Sequence, residues 1–143
     1  MSAELYNLET ARSPEQRAKM QDLTARGECI FCPEHAAGIL HRGEHWYVKP
    51  NDFPYAGALA HYLIVPLRHV ESFDELPDEA AVELWAFKRR LKAEHDPIAT
   101  ATVERSGNMH FNGGSVAHLH VHFVLLDEAP SETVRFRVSA HAR

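Results

Sequence analysis

The sequence predicts an α+β fold, with an antiparallel sheet of about five strands, one long helix against it and a shorter helix near the N-terminus. Three observations predict it. Short β-prone runs follow one another through turns and loops, as in hairpins. One long segment, Pro77 to His95, carries apolar residues at three- and four-residue spacing. The chain has 143 residues and is 45% hydrophobic, enough apolar material for one core and not two. We therefore expect a single domain over residues 1–143, with an arm and helix in 1–27, a core in 28–126 and a C-terminal extension in 127–143.

The elements follow in order. Residues 1–12 carry little pattern. Ser13-Pro14-Glu15-Gln16 is a helix start, with Ser13 as cap, Pro14 in the first turn and Gln16 closing a capping box. Gly27 ends that helix. Ile39–His41 and His45–Lys49 flank a Gly-containing turn and form a hairpin. His61–Val65 is a buried-type strand closed by Pro66. In the long helix Val82, Leu84, Trp85, Phe87 and Leu91 supply the apolar face, Lys88, Arg89, Arg90 and Lys92 are solvated, and Asp96-Pro97 is the stop. Strands are expected at Ile98–Glu104 and Val116–Leu126, joined by a loop over Ser106–Ser115. Thr133–Val138 alternates like an edge strand.

Composition excludes several classes. No apolar run is long enough to cross a bilayer. The first twenty residues are polar and lack the apolar stretch of a secretory signal, so a reducing, cytoplasmic setting is expected. Fifteen Lys plus Arg against twenty Asp plus Glu leave a net charge of −5, which speaks against a nucleic-acid polymer as partner. A small phosphorylated ligand needs only a local cluster of donors.

The chemistry concentrates in two places. His118, His120 and His122 alternate with Leu119, Val121 and Phe123. On a strand this puts three imidazoles on one face and three apolar side chains on the other. Such a row can ligate a catalytic metal, or supply a nucleophile whose neighbours hold its tautomer. Just before it, Asn112-Gly113-Gly114-Ser115 offers backbone N–H groups with little steric cover, a nest suited to phosphate. The second place is Cys29-Ile30-Phe31-Cys32, the only two Cys of the chain. Without a thioredoxin-type βαβ context the spacing reads as a metal knuckle. Tetrahedral zinc then needs two further ligands, with His35, His69 and His118 as candidates.

These pieces resemble the histidine triad superfamily of nucleotide-binding hydrolases and transferases. CIFC, HYLIVPLRHV, SFDELPDE with its helix and GGSVAHLHVHFV carry the likeness over about residues 28–126, and CIFC with PLRHV is similar to its zinc-containing members. The resemblance implies a nucleotide hydrolase that cleaves a nucleoside 5′-phosphate from a phosphate, an amine or a second nucleotide. His120 would be the nucleophile, giving a nucleotidyl-histidine. His122 would hold the transferred phosphoryl or leaving group, His61 would hydrogen-bond into the triad, and Ser115 would contact the phosphate. Asn51, Asn112, Gly113 and Gly114 would bind the nucleotide. Cys29, Cys32, His69 and His118 would hold a structural zinc, with His69 preferred to His35. A homodimer is implied as well. The loop Asn51–Tyr55 resembles that of dinucleoside polyphosphate phosphorylases of this superfamily, with a longer run to His61. Such a phosphorylase or nucleotidyltransferase, a zinc hydrolase using the three histidines, and a zinc-bound nucleotide-binding module without turnover are the alternatives.

Other residues receive plainer readings. Trp85 and Phe87 are expected in the core. One of Trp46 and Tyr47 should face the core and the other a base pocket. Phe53 and Tyr55 cover a core edge or stack on a base. His41, His45, His95 and His141 are read as surface residues, and Arg105 as an exposed arginine at a strand end, in preference to one that reaches a phosphate. His110 is left unassigned.

Overall fold

The structure, a computed structural model, describes residues 4–139. His141 and the last residues of the C-terminal extension lie outside the described residues. Helix α1, Pro14–Arg26, is capped by Ser13, whose Oγ accepts the Gln16 N–H, and Gly27 closes it in the left-handed conformation at φ 65°; the expected capping box is not completed, because Gln16 Oε1 accepts the N–H of Arg12 instead of that of Ser13. The hairpin is β1, His41–Arg42, with β2, Trp46–Pro50. Strand β3 is Ala60–Pro66, α2 is Asp78–His95, β4 is Ala99–Glu104, and β5 is Val121–Leu126. The sheet runs β1-β2-β3-β5-β4, antiparallel throughout. No helix among the described residues is long and apolar enough to cross a membrane.

Alternation along the strands divides the sheet into two faces. Trp46, Val48, Tyr62, Ile64, Val121, Phe123 and Leu125 pack on one side, against Ala80 and Leu91 of α2. Trp46 Nε1–H donates to the Ala80 carbonyl at 2.7 Å. The Glu83 carboxylate accepts the backbone N–H groups of Glu44, His45 and Trp46, fastening the hairpin to the helix. A Cβ at Gly43 would run into that carboxylate, which explains glycine in the turn. On the other side, Tyr47, Leu63 and Val65 pack with Cys29 and Phe31. Tyr6, Met20 and Leu23 of the N-terminal segments extend this second layer. Trp46 and Tyr47 are thus both buried, one in each layer.

Four further expectations need correction. Trp85 is 63% exposed, and Val82 is exposed too. The stripe facing the sheet is Ala80 and Leu91, buried, with Leu84 and Phe87 half-buried, and Trp85 sits about 100° around the helix from Leu84, off the sheet. Its ring is covered by Lys88, whose Nζ lies 4.9 Å from the ring centroid. The last strand begins at Val121, not Val116. Ile64 pairs with Val121, so two residues further back the ladder meets Pro66, which has no N–H to give. Residues 116–119 bond instead to the N-terminal arm and to Val70, through Ala117 N–H to Leu5 O and Leu119 N–H to Val70 O. The Ser106–Ser115 loop contains a helical turn, α3, Met109–Asn112, capped by Asn108. Thr133–Val138 forms no strand, because Arg105 binds the Arg137 carbonyl and draws the segment across the second face.

Candidate functional site

Three histidines leave the second face of β5 and the segment before it, and each makes a bond that fixes its tautomer. His118 Nε2 lies 2.9 Å from the Pro66 carbonyl. A carbonyl only accepts, so Nε2 carries the proton and Nδ1 keeps a lone pair. That Nδ1 stands 3.4 Å from Cys29 Sγ, 3.7 Å from Cys32 Sγ and 3.1 Å from His69 Nδ1, while Cys32 Sγ is 3.3 Å from His69 Nδ1. All four ligand atoms lie within 4.8 Å of one another. Tetrahedral zinc with ordinary bond lengths would set these edges at about 3.8 Å for S–S, 3.5 Å for S–N and 3.3 Å for N–N. The donor set, its size and the carbonyl behind His118 therefore fit zinc. His35 is not in the cluster. It caps the Cys turn through its N–H to the Cys32 carbonyl.

His120 Nδ1 lies 2.8 Å from the His118 carbonyl, so Nδ1 holds the proton and Nε2 the lone pair. The backbone N–H of Tyr55 donates to His61 Nδ1 at 3.0 Å, leaving the proton of His61 on Nε2. His61 Nε2–H then donates to His122 Nδ1 at 2.9 Å. His122 consequently carries its proton on Nε2, and that atom is buried without a partner. Asn51 Nδ2 also approaches the His61 ring at 3.3 Å, but a donor faces a donor there, and we count it as packing. Asn51 Oδ1 accepts the Phe53 N–H, which fixes the amide.

Burial dominates the electrostatics. It holds His61 down to about 4, with Arg12 and His120 pushing the same way. His120 is likewise lowered to about 4, mainly by burial. His122 falls well below the usual imidazole range, through burial and then His120 and His61. All three are neutral at neutral pH.

His120 and His122 line a cleft of about 620 Å³, together with Asn51, Ser115 and Gly113. That volume suits a nucleotide-sized ligand. Ser115 Oγ is 2.7 Å from Thr10 Oγ1, whose own proton goes to a backbone carbonyl. Asn112 and Gly114 line a smaller pocket beside the cleft, with Arg105, His118 and His120. The Asn112 amide is spent inside the loop, donating to Ser106 O and accepting the Gly114 N–H at 3.0 Å. His110 pairs with Glu4 at 2.8 Å, also off the cleft.

The sequence model of the family described as "Scavenger mRNA decapping enzyme C-term binding" matches residues 28–135. The chain belongs to this family, within the histidine triad superfamily. An uncharacterized HIT-like protein of Methanocaldococcus jannaschii is 29% identical over 120 residues, covering 76% of this chain and 86% of the relative. Among solved structures, a zinc-bound histidine triad family protein from Mycobacterium smegmatis superposes with a TM-score of 0.60 at 19% identity, covering 78% of this chain and 83% of that one. A hypothetical histidine triad nucleotide-binding protein from Sulfolobus tokodaii gives 0.57 at 21%, covering 79% and 81%. At such identities the structures speak for the fold.

Three lining residues of this histidine triad protein, Arg12, Phe136 and Lys49, went unread in the sequence. Arg105 is not a solvated strand end. Its guanidinium lies 3.9 Å over the Phe136 ring and lines the cleft. Arg12 stacks 4.7 Å over Tyr55, and Tyr55 stacks on His122 with centroids 5.5 Å apart. Phe136, 5.4 Å from His122, covers the ring from the C-terminal side. Lys49, in the middle of β2, is 2% exposed and meets Asp52 at 3.3 Å. Burial raises the Asp52 carboxyl, but Lys19 and Lys49 outweigh it and hold it below its usual value. An alternating pattern in β2 places Lys49 beside Tyr47 on one face, and that was the available signal.

Proposed function

We propose that the protein is a nucleotide hydrolase of the histidine triad type, working through a nucleotidyl intermediate on His120. One observation carries the reading: the Nδ1–H of His120 is held by the His118 carbonyl at 2.8 Å, which leaves a neutral Nε2 lone pair on a residue of the cleft wall. In the first half-reaction that lone pair attacks the α-phosphorus. The bond to the leaving group breaks, and its electron pair departs with the group, as the anion for a phosphate; an amine takes its proton from solvent. His122 Nε2–H, otherwise without a partner, donates a hydrogen bond to an oxygen of the transferring phosphoryl group. Tyr55 N–H and His61 hold His122 in the tautomer this requires. In the second half-reaction water attacks phosphorus, the P–N bond breaks, Nε2 recovers its lone pair, and a nucleoside monophosphate and one proton leave.

Ser115 stands at the cleft wall as a phosphate contact, and Asn51 as a ribose contact. Cys29, Cys32, His69 and His118 would hold zinc with four protein ligands, so its contribution when bound is to fasten the Cys turn to the triad segment. The unpaired edge of β4 and exposed Trp85 support a homodimer through this face, which light scattering would report.

The test is mass spectrometry of the intact protein, quenched without acid after brief mixing with a dinucleoside tetraphosphate or an adenosine phosphoramidate. Wild type should carry a nucleotidyl adduct that His120→Ala lacks. Turnover by His120→Ala at the wild-type rate would overturn the reading. Repeating the reaction with inorganic phosphate identifies the acceptor, since a phosphorylase would yield a nucleoside diphosphate.

A further inference from the structure

The cleft has two chemically different ends. At the triad end Arg12 lies over Tyr55 and Arg105 over Phe136, the two rings that flank His122, and Arg105 holds the Arg137 carbonyl. Further along, Lys19 of α1 and Lys49 of β2 both reach Asp52 Oδ2, at 3.0 Å and 3.3 Å. Asp52 is the only carboxylate among the described lining residues. Lys49 pairs with Leu63 across the sheet, and Leu63 with His122. The three therefore stand in a row on one face, with the lysine two strand spacings, about 10 Å, from the triad. The walls near the lysines are apolar: Leu63 stands beside Lys49 across the sheet, and the Phe53 ring lies 5.8 Å from Lys19 Nζ.

A phosphate belongs at the arginine end, where nothing repels it. At the lysine end a carboxylate would oppose it. What fits there is a flat, neutral group with both donors and acceptors on its rim. Lys49 has three donors and, among the described residues, a single partner, although its side chain is almost wholly buried. Lys19, Asp52 and Lys49 together offer donor, acceptor, donor.

We infer that the Lys19–Asp52–Lys49 cluster reads the base of the nucleotide, and that it takes an acceptor–donor–acceptor edge. This rests on the nucleotide-hydrolase reading above and names its specificity. Adenine has that edge in N7, N6–H and N1, and uracil in O4, N3–H and O2. Guanine presents N7 and O6 as adjacent acceptors, so O6 would meet the Asp52 carboxylate. Cytosine presents its donor at one end of the edge, and Lys would meet an N4–H.

The experiment is calorimetric titration of the whole protein with AMP, UMP, GMP, CMP and ribose 5-phosphate. Wild type should bind AMP or UMP about tenfold or more tightly than GMP and CMP, the size of one good base-edge pair. The AMP and UMP arms tell which of the two bases it is. Lys49→Met should remove most of that preference and leave ribose 5-phosphate unchanged. Asp52→Asn should tighten GMP. Lys19→Met removes a half-exposed donor without touching the core and should shift the preference in the same direction, so the inference stands testable even if Lys49→Met fails to fold. Equal binding of all four nucleotides overturns the inference alone. So does a loss of ribose 5-phosphate affinity in Lys49→Met, which would make Lys49 a phosphate ligand. Binding of none of the five overturns the nucleotide reading as well.

Discussion

Replacing His61 by Phe separates the proton balance of the site from its shape. Phenyl is somewhat larger than imidazole and the position is 4% exposed, so the change carries a packing cost, but one that does not vary with pH. Two hydrogen bonds are lost, from Tyr55 N–H and to His122, a cost of about 2 kcal/mol that does not vary with pH. The pH term does vary. Burial holds the folded imidazole near about 4, against an ordinary value of 6.5. Between those values the unfolded chain binds a proton that the folded chain refuses, so wild-type stability is full above about pH 6.5 and falls as pH drops towards 4. Integrating the linkage from pH 7 to pH 5 gives about 2 kcal/mol for this group alone, and to pH 4 about 3 kcal/mol. His61→Phe lacks that term. Urea unfolding at pH 7 and pH 5 should show wild type losing about 2 kcal/mol more than the variant over the interval. Parallel stability curves would refute the claim that His61 is buried neutral.

Two further predictions test the metal cluster and the helix face. Chelation, and separately Cys29→Ala, should release bound zinc and lower the unfolding temperature by about 10 °C or more, equivalent to about 3 kcal/mol in a domain of this size. Adduct formation at His120 should persist in the molecules still folded, whereas a catalytic zinc would make chelation abolish chemistry before structure. Leu91→Ala, at a fully buried position, should cost about 3 kcal/mol, and Trp85→Ala less than about 0.5 kcal/mol. Similar costs for the two would mean that α2 is rotated from the orientation described.

The ends of the elements were legible because local chemistry writes them. Ser13 with Gln16 and Gly27 bound α1 in the sequence as in the structure. The start of β5 was not legible, since nothing in Val116–His120 says that its partner strand runs into Pro66. Two residues near one another in sequence met different fates for the same reason. Leu84 and Trp85 both satisfy a loose helical spacing, and only the width of the sheet decides which is covered. The bonds by which the Asn112 amide closes its own loop were not legible either, because the Ser106 carbonyl reaches it only through the turn of α3.

The sequence by itself determined the alternation that puts His118, His120 and His122 on one face, and the residue types able to hold zinc. Periodicity and ligand chemistry are local properties, readable from spacing. Only the tertiary structure decided which nitrogen of each imidazole holds the proton, because the deciding partners are Pro66 O, His118 O and Tyr55 N–H. Only it brought Arg12, Arg105 and Phe136 to one cleft and buried Lys49 against Asp52. These contacts join the segment before α1, β2 and the loop after it, the residue after β4 and the C-terminal segment. Such pairings follow from how layers cover one another, and no local pattern encodes them.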